Sequence, residues 1–145
     1  SIKANGVLES AVGSAALAMV HTRDVAEVAA NLMLNPDRAP GKTMPLTCSN
    51  AITYKQMADQ MSEVFEREVT FRHQTLGEVE SNLRLSGMPD WHIRIILQFN
   101  RAFSEGYGSE VHTHVEDILG REPRSFRYYL KTASISESDS NPFPS

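Results

Sequence analysis

Residues 16–34 read ALAMVHTRDVAEVAANLML, and the change of pattern inside this run decides the fold class. Ala16 to His21 is short and apolar and reads as a strand, entered from a turn at Gly13-Ser14. Asp24-x-x-Glu27 then opens a helix in the manner of a capping box, with Asp in place of Ser or Thr. Val25, Val28, Ala29, Leu32 and Met33 recur at helical spacing and give that helix an apolar face. Asn35-Pro36-Asp37 ends it.

The same alternation continues outward. Gly6 to Val12 reads as a strand before the turn. Lys42 to Cys48 is a further strand candidate, but Pro45 demotes it to an edge or a bulged position. Thr53-x-x-Gln56 is a capping box, followed by Met57, Ala58, Met61, Val64 and Phe65 at helical spacing. Glu68 to His73 alternates like a strand. Thr75-x-x-Glu78 caps a helix carrying Leu76, Val79 and Leu83 that ends at Gly87. Pro89, at a first helical position, starts another that runs to about Glu105. Thr113-x-x-Glu116 caps a short helix closed by Gly120, and Ser125 begins the last. The expected class is α/β (α+β), with a few short strands, about five or six helices and more helix than sheet. Residues 1–131 form a single domain in this reading. From Thr132 the chain is acidic and rich in Ser and Pro, which predicts a disordered tail over 132–145.

Bulk properties narrow the function classes. The chain has 145 residues, 41% hydrophobic and 22% charged, which suits one ordinary core. Net charge is −4 and no basic cluster interleaves with aromatics, so nucleic acid is not an expected partner. No apolar run is long enough to span a membrane, and no signal-peptide pattern opens the chain. One cysteine, Cys48, excludes a disulfide scaffold and a cysteine-rich zinc site. A reducing, cytoplasmic setting follows, with Cys48 as a buried structural thiol.

Three segments together carry a family resemblance: AMVHTRDVAEVAANLML, GKTMPLTCSNAITYKQMADQMSEVFEREVTF and, after the helix pair around Gly87, VEDILGREPRSFRYYLK. They resemble the C-terminal, substrate-side half of the NmrA-like family of atypical short-chain dehydrogenase/reductase proteins. The likeness covers the chain up to Lys131 and rests on the order and spacing of segments. The family's other half is a Rossmann unit that binds NAD(P) through a strand, a Gly-x-Gly-x-x-Gly turn and a helix N-terminus. No such turn occurs here. Gly106-x-Gly108 is the nearest, and it follows a helix. The Tyr-x-x-x-Lys pair of the wider superfamily is absent too. No cofactor is therefore expected on these residues. The chain is either a fragment of a longer reductase or a complete protein that works without dinucleotide, and the second is the expectation carried forward.

The helix MPDWHIRIILQFNRAF, residues 88–103, raises a separate question. Ile93, Ile96, Leu97 and Phe103 form one apolar set. Trp91, Ile95, Phe99 and Ala102 form a second, rotated around the axis, although a surface helix needs only one apolar face. The resemblance implies that this helix pair roofs a substrate cleft. The second set then lines a cavity, or it packs in a core or partner interface. Trp91, Ile95, Phe99 and Phe103, with Tyr107 from the loop EGYGS, are the candidate substrate-binding residues. A homodimer or higher homo-oligomer is also expected, because an exposed sheet edge and apolar face invite pairing.

His21 and His73 are the candidate catalytic residues. Each ends a strand, where open α/β sheets place ligands, and histidine exchanges protons near neutral pH. His92, next to Trp91 on that helix, rims the pocket or meets water. His112-x-His114 with Glu116 permits a metal only if alternate side chains share one side, and a cap at Thr113 splays them, so no metal is assigned. Glu78 and Glu80 are solvent-like, and no Gly-x-Ser-x-Gly elbow appears. With no dinucleotide, metal or nucleophile, the expected function is a small cofactor-independent enzyme. It binds an apolar biosynthetic metabolite and catalyses an isomerisation or an intramolecular, possibly pericyclic, cyclisation. The alternatives are a fragment or subunit of an NAD(P)-dependent NmrA-like oxidoreductase, and a non-catalytic ligand- or dinucleotide-sensing module.

Overall fold

The computed structural model describes residues 6–39, 41 and 43–136. They contain six α-helices and four short strands, so the α/β class with more helix than sheet holds. The chain divides into two compact units. One combines the described residues up to Leu17 with Ala51–Glu110, and the other combines Ala18–Asn50 with those from Val111 onward.

In the first unit, β1 (Val7–Ser10) runs parallel to β4 (Thr70–His73), with Glu9 opposite Arg72 and Ser10 opposite His73. β2 (Ala16–Leu17) pairs antiparallel with β3 (Ile52–Thr53). Helix α2 (Tyr54–Phe65) packs on β1 and β4, burying Met57 and Ala58. Its start is the capping box expected from sequence: Thr53 Oγ1 accepts from Gln56 N–H at 3.1 Å, and Gln56 returns a bond to Thr53 N–H at 2.8 Å. Helix α3 (Leu76–Leu85) begins with the same device at Thr75 and Glu78. It packs against α4 (Asp90–Ser104), for which Pro89 is the N-cap rather than the first helical residue. Gly6 has φ +65°, and a Cβ there would lie 2.9 Å from the Glu68 carbonyl oxygen. This close approach lets the Gly6 carbonyl accept from Thr70 N–H at 2.9 Å.

The second unit packs α1 (Thr22–Leu34) on α5 (His114–Leu119) around Val28, Val115 and Ile118. Val20, Leu32, Met44 and Leu46 close this core from the sides. Val25, Ala29 and Met33, expected on the buried face, are instead exposed. Helix α6 (Phe126–Ser136) follows, with Ser125 Oγ accepting from Tyr128 N–H at 3.2 Å.

Several local expectations are corrected. The strand over Ala16–His21 shortens to Ala16–Leu17, the two residues that pair with β3, and α1 starts before Asp24, at Thr22. Its N-cap is His21, whose Nδ1 accepts from Arg23 N–H at 3.0 Å. Residues 43–48 form no strand. Thr47 Oγ1 instead accepts from His112 N–H at 2.8 Å and donates to its carbonyl at 3.1 Å. Thr113 does not cap through Glu116; its hydroxyl donates to Asp117 at 2.9 Å. Helix α6 continues through Thr132 to Ser136, past the expected start of the tail, and residues 137–145 lie outside the described residues.

Candidate functional site

The first unit holds an open hollow of about 390 Å³ lined by Gly13, Ser14, Thr53, Lys55, Phe71 and His73. Phe71 and His73 alternate along β4 and so share a face. Thr53 and Lys55 come from the capped start of α2, and Gly13-Ser14 from the turn after β1. A Cβ on Gly13 would stand 3.8 Å from His73 Cε1, so the imidazole rests directly over this glycine. Tyr54 stacks on Phe71 with centroids 6.0 Å apart and backs the apolar wall. Lys55 Nζ pairs with Asp59 at 3.1 Å, one turn further along α2. An apolar floor, one imidazole and one ammonium together suit a small, mainly apolar molecule with an oxygen to be hydrogen-bonded.

Of the candidate residues, His73 alone lines this hollow. Trp91, Ile95 and Phe99 are exposed at 58%, 40% and 57%, on the side of α4 away from buried Ile93. Trp91 stacks on His92 with centroids 5.0 Å apart, and Phe99 on Phe103 at 5.9 Å. Tyr107 is 80% exposed. Phe103 and Leu17 crowd Gly108: a Cβ there would meet Leu17 Cδ2 at 2.7 Å and Phe103 Cδ1 at 3.1 Å.

His21 belongs to the second unit. Its ring meets Tyr128 and Tyr129 edge-on, with centroids 5.8 Å and 6.0 Å away. Because Nδ1 accepts from Arg23, the neutral ring carries its proton on Nε2. There it offers a hydrogen bond rather than taking a proton.

Sequence reasoning missed the strongest electrostatic feature. Asp24 is fully buried. Its Oδ2 accepts from Arg124 N–H at 2.7 Å, and its Oδ1 accepts from Arg121 Nη2 at 2.7 Å and from Arg124 Nη1. Glu27 binds the same two guanidiniums. Burial opposes ionisation of Asp24, but the hydrogen bonds from Arg121 and Arg124 outweigh it and hold the carboxyl below its ordinary range. Bonds from Arg124 and Arg121 lower Glu27 likewise. The spacing Asp-x-x-Glu reads locally as a cap, which hid this role.

His112 and His114 stack at 5.4 Å, nearly parallel, and His114 Nδ1 lies 2.8 Å from the Pro45 carbonyl. A carbonyl only accepts, so that nitrogen carries the proton. Among the described residues, no group of three or more His, Cys, Asp or Glu is placed to hold a metal ion. Nor do these residues fit a dinucleotide pyrophosphate. That group needs a glycine turn between a strand and a helix, open to close approach. Gly106-x-Gly108 follows α4, and side chains fill the space above Gly108. No helix among the described residues is long and apolar enough to cross a membrane.

The chain matches no protein-family model. Prestalk A differentiation protein A of Dictyostelium discoideum is 22% identical over 135 residues, covering 93% of this chain and 44% of that protein. Agroclavine dehydrogenase of Claviceps fusiformis is 24% identical over 130 residues, covering 90% of this chain and 45% of that protein. The chain therefore spans less than half the length of these curated relatives. Among solved structures, the triphenylmethane reductase of Citrobacter sp., complexed with NADP(H), superposes with a TM-score of 0.80 at 21% identity, over 91% of this chain and 47% of that one. The fold is thus that of about half of such a reductase.

Proposed function

We propose that this chain is the substrate-side part of an NAD(P)-dependent oxidoreductase of the NmrA-like kind. The observation that supports it best is the superposition on a reductase solved with NADP(H), over 91% of this chain but 47% of the other. In this reading the dinucleotide is held by residues other than those described, since Gly106-x-Gly108 is closed by Leu17 and Phe103.

The chain's own part is to hold the organic substrate. Phe71 gives the hollow an apolar wall, and His73, fixed over Gly13, holds or moves a proton at a substrate oxygen. Apolar, oxygen-bearing compounds are the substrate class that matches this lining. The test is oxidation of NADPH by the protein isolated from its source, against a panel of apolar carbonyl compounds. Turnover that requires the dinucleotide and drops on His73→Ala is expected. Turnover of an apolar compound with no dinucleotide added contradicts the proposal and restores the cyclase reading.

A further inference from the structure

Residues 43–48 follow α1 and run on without a turn or a bend. Thr43 and Pro45 are exposed, whereas Met44 and Leu46 are half-buried and pack on the core around Val28 and Val115. Pro45 holds Met44 away from the helical region. A straight segment with alternating burial is an extended strand, yet among the described residues it belongs to no sheet.

Its two edges differ. In a strand, the N–H and C=O of one residue point to one edge and those of the next residue to the other. The Pro45 carbonyl accepts from His114 Nδ1 at 2.8 Å, and the Thr47 hydroxyl bonds both backbone groups of His112. Residues 112–114 thus cover the edge of Pro45 and Thr47, and the N–H that Pro45 lacks is missing from that edge alone. Met44, Leu46 and Cys48 face the opposite edge. Among the described residues, their backbone N–H and C=O groups have no hydrogen-bond partner. Main-chain groups so placed template a further strand.

We propose that residues 43–48 are the outermost strand of a parallel sheet, and that the neighbouring strand belongs to the dinucleotide-binding part of the protein. The inference rests on the oxidoreductase reading, which places that part on residues other than those described. The order of elements argues for parallel pairing. Residues 18–20 also run straight, and Val20 packs on the same core, so α1 links two straight segments. A helix in that place connects parallel strands. Dinucleotide-binding units are built on a mostly parallel sheet with helices on its faces. Here α1 and α5 supply that cover, since Met44 and Leu46 pack against their shared core. A second copy related by a two-fold axis meets this strand antiparallel and fits less well.

The experiment is residue-resolved amide hydrogen exchange on the protein isolated from its source, with the intact mass measured on the same sample. Met44, Leu46 and Cys48 are expected to exchange at least about a hundredfold more slowly than an unstructured chain, while Thr43, facing the other edge, does not. A chain longer than 16.1 kDa in which all three exchange freely overturns the inference and leaves the oxidoreductase reading standing. So does slowing that includes Thr43 equally, which burial gives and a ladder does not. Protection that fades on dilution assigns the edge to a second copy and also overturns it. A 16.1 kDa chain that binds no dinucleotide overturns the reading and this inference together.

Discussion

Arg124 binds Asp24 twice, through its backbone N–H at 2.7 Å and through its guanidinium, across a hundred positions of sequence. Arg121 adds a third bond to the same carboxylate at 2.7 Å. The fully buried carboxylate thus fixes the loop before α6 onto the first turn of α1. Removing the carboxylate leaves two arginines facing a partly exposed Glu27 alone. Asp24→Ala is expected to destabilise the protein by about 3–5 kcal/mol, as loss of one partner of a buried ion pair does. Chemical denaturation with a linear extrapolation checks this; a loss under about 1 kcal/mol is inconsistent with the network.

The same carboxylate gives a signed pH dependence. Its folded-state pKa lies below the ordinary 3.8, so it stays ionised in the folded protein where the unfolded chain takes up a proton. Its stabilising contribution is therefore complete above about pH 5 and is lost as pH falls through the folded value. Thermal melts from neutral pH downward are expected to show the native protein losing stability faster than Asp24→Asn, until the two curves converge in acid. Parallel curves contradict this.

Gly6 and Gly87 separate two costs of a side chain. Both have positive φ, at +65° and +77°. A Cβ on Gly87 meets nothing within 4 Å, whereas on Gly6 it meets the Glu68 carbonyl at 2.9 Å. Gly87→Ala is expected to cost about 1–2 kcal/mol, the price of the left-handed conformation alone. Gly6→Ala should cost more, because backbone must also move between β1 and β4. Equal losses in denaturant melts contradict the close approach.

Three threonines test the helix starts. Thr53 and Thr75 both accept the N3 backbone N–H, and each Thr→Ala should cost about 1 kcal/mol. Thr113 makes no such bond, so Thr113→Ala should cost clearly less.

These threonines also mark how far the sequence is legible. A capping box is written within four residues, so the starts of α2 and α3 could be read directly. Thr113-x-x-Glu116 has the same letters, but its φ of −90° and ψ of 0° put the hydroxyl on Asp117. Asp24 failed in the opposite sense. Its partners lie near residue 124, and no local pattern separates a buried ion-pair acid from a cap. Pro45 rightly argued against a central strand, but the bonds from Thr47 to His112 that replace the ladder are again long-range. Of the candidate site, His73 was legible as a strand end. The glycine beneath it arrives through the parallel pairing of β1 with β4, and Lys55 through the packing of α2 on those two strands. The second apolar set on α4 was visible as a pattern, yet a pattern alone does not tell a cavity wall from an exposed ridge.

Native mass spectrometry of the protein isolated from its source tests the central claim most directly. The oxidoreductase account predicts a chain of about twice 16.1 kDa that carries, or takes up, NADP(H). A 16.1 kDa chain that binds no dinucleotide and converts an apolar compound unaided contradicts it.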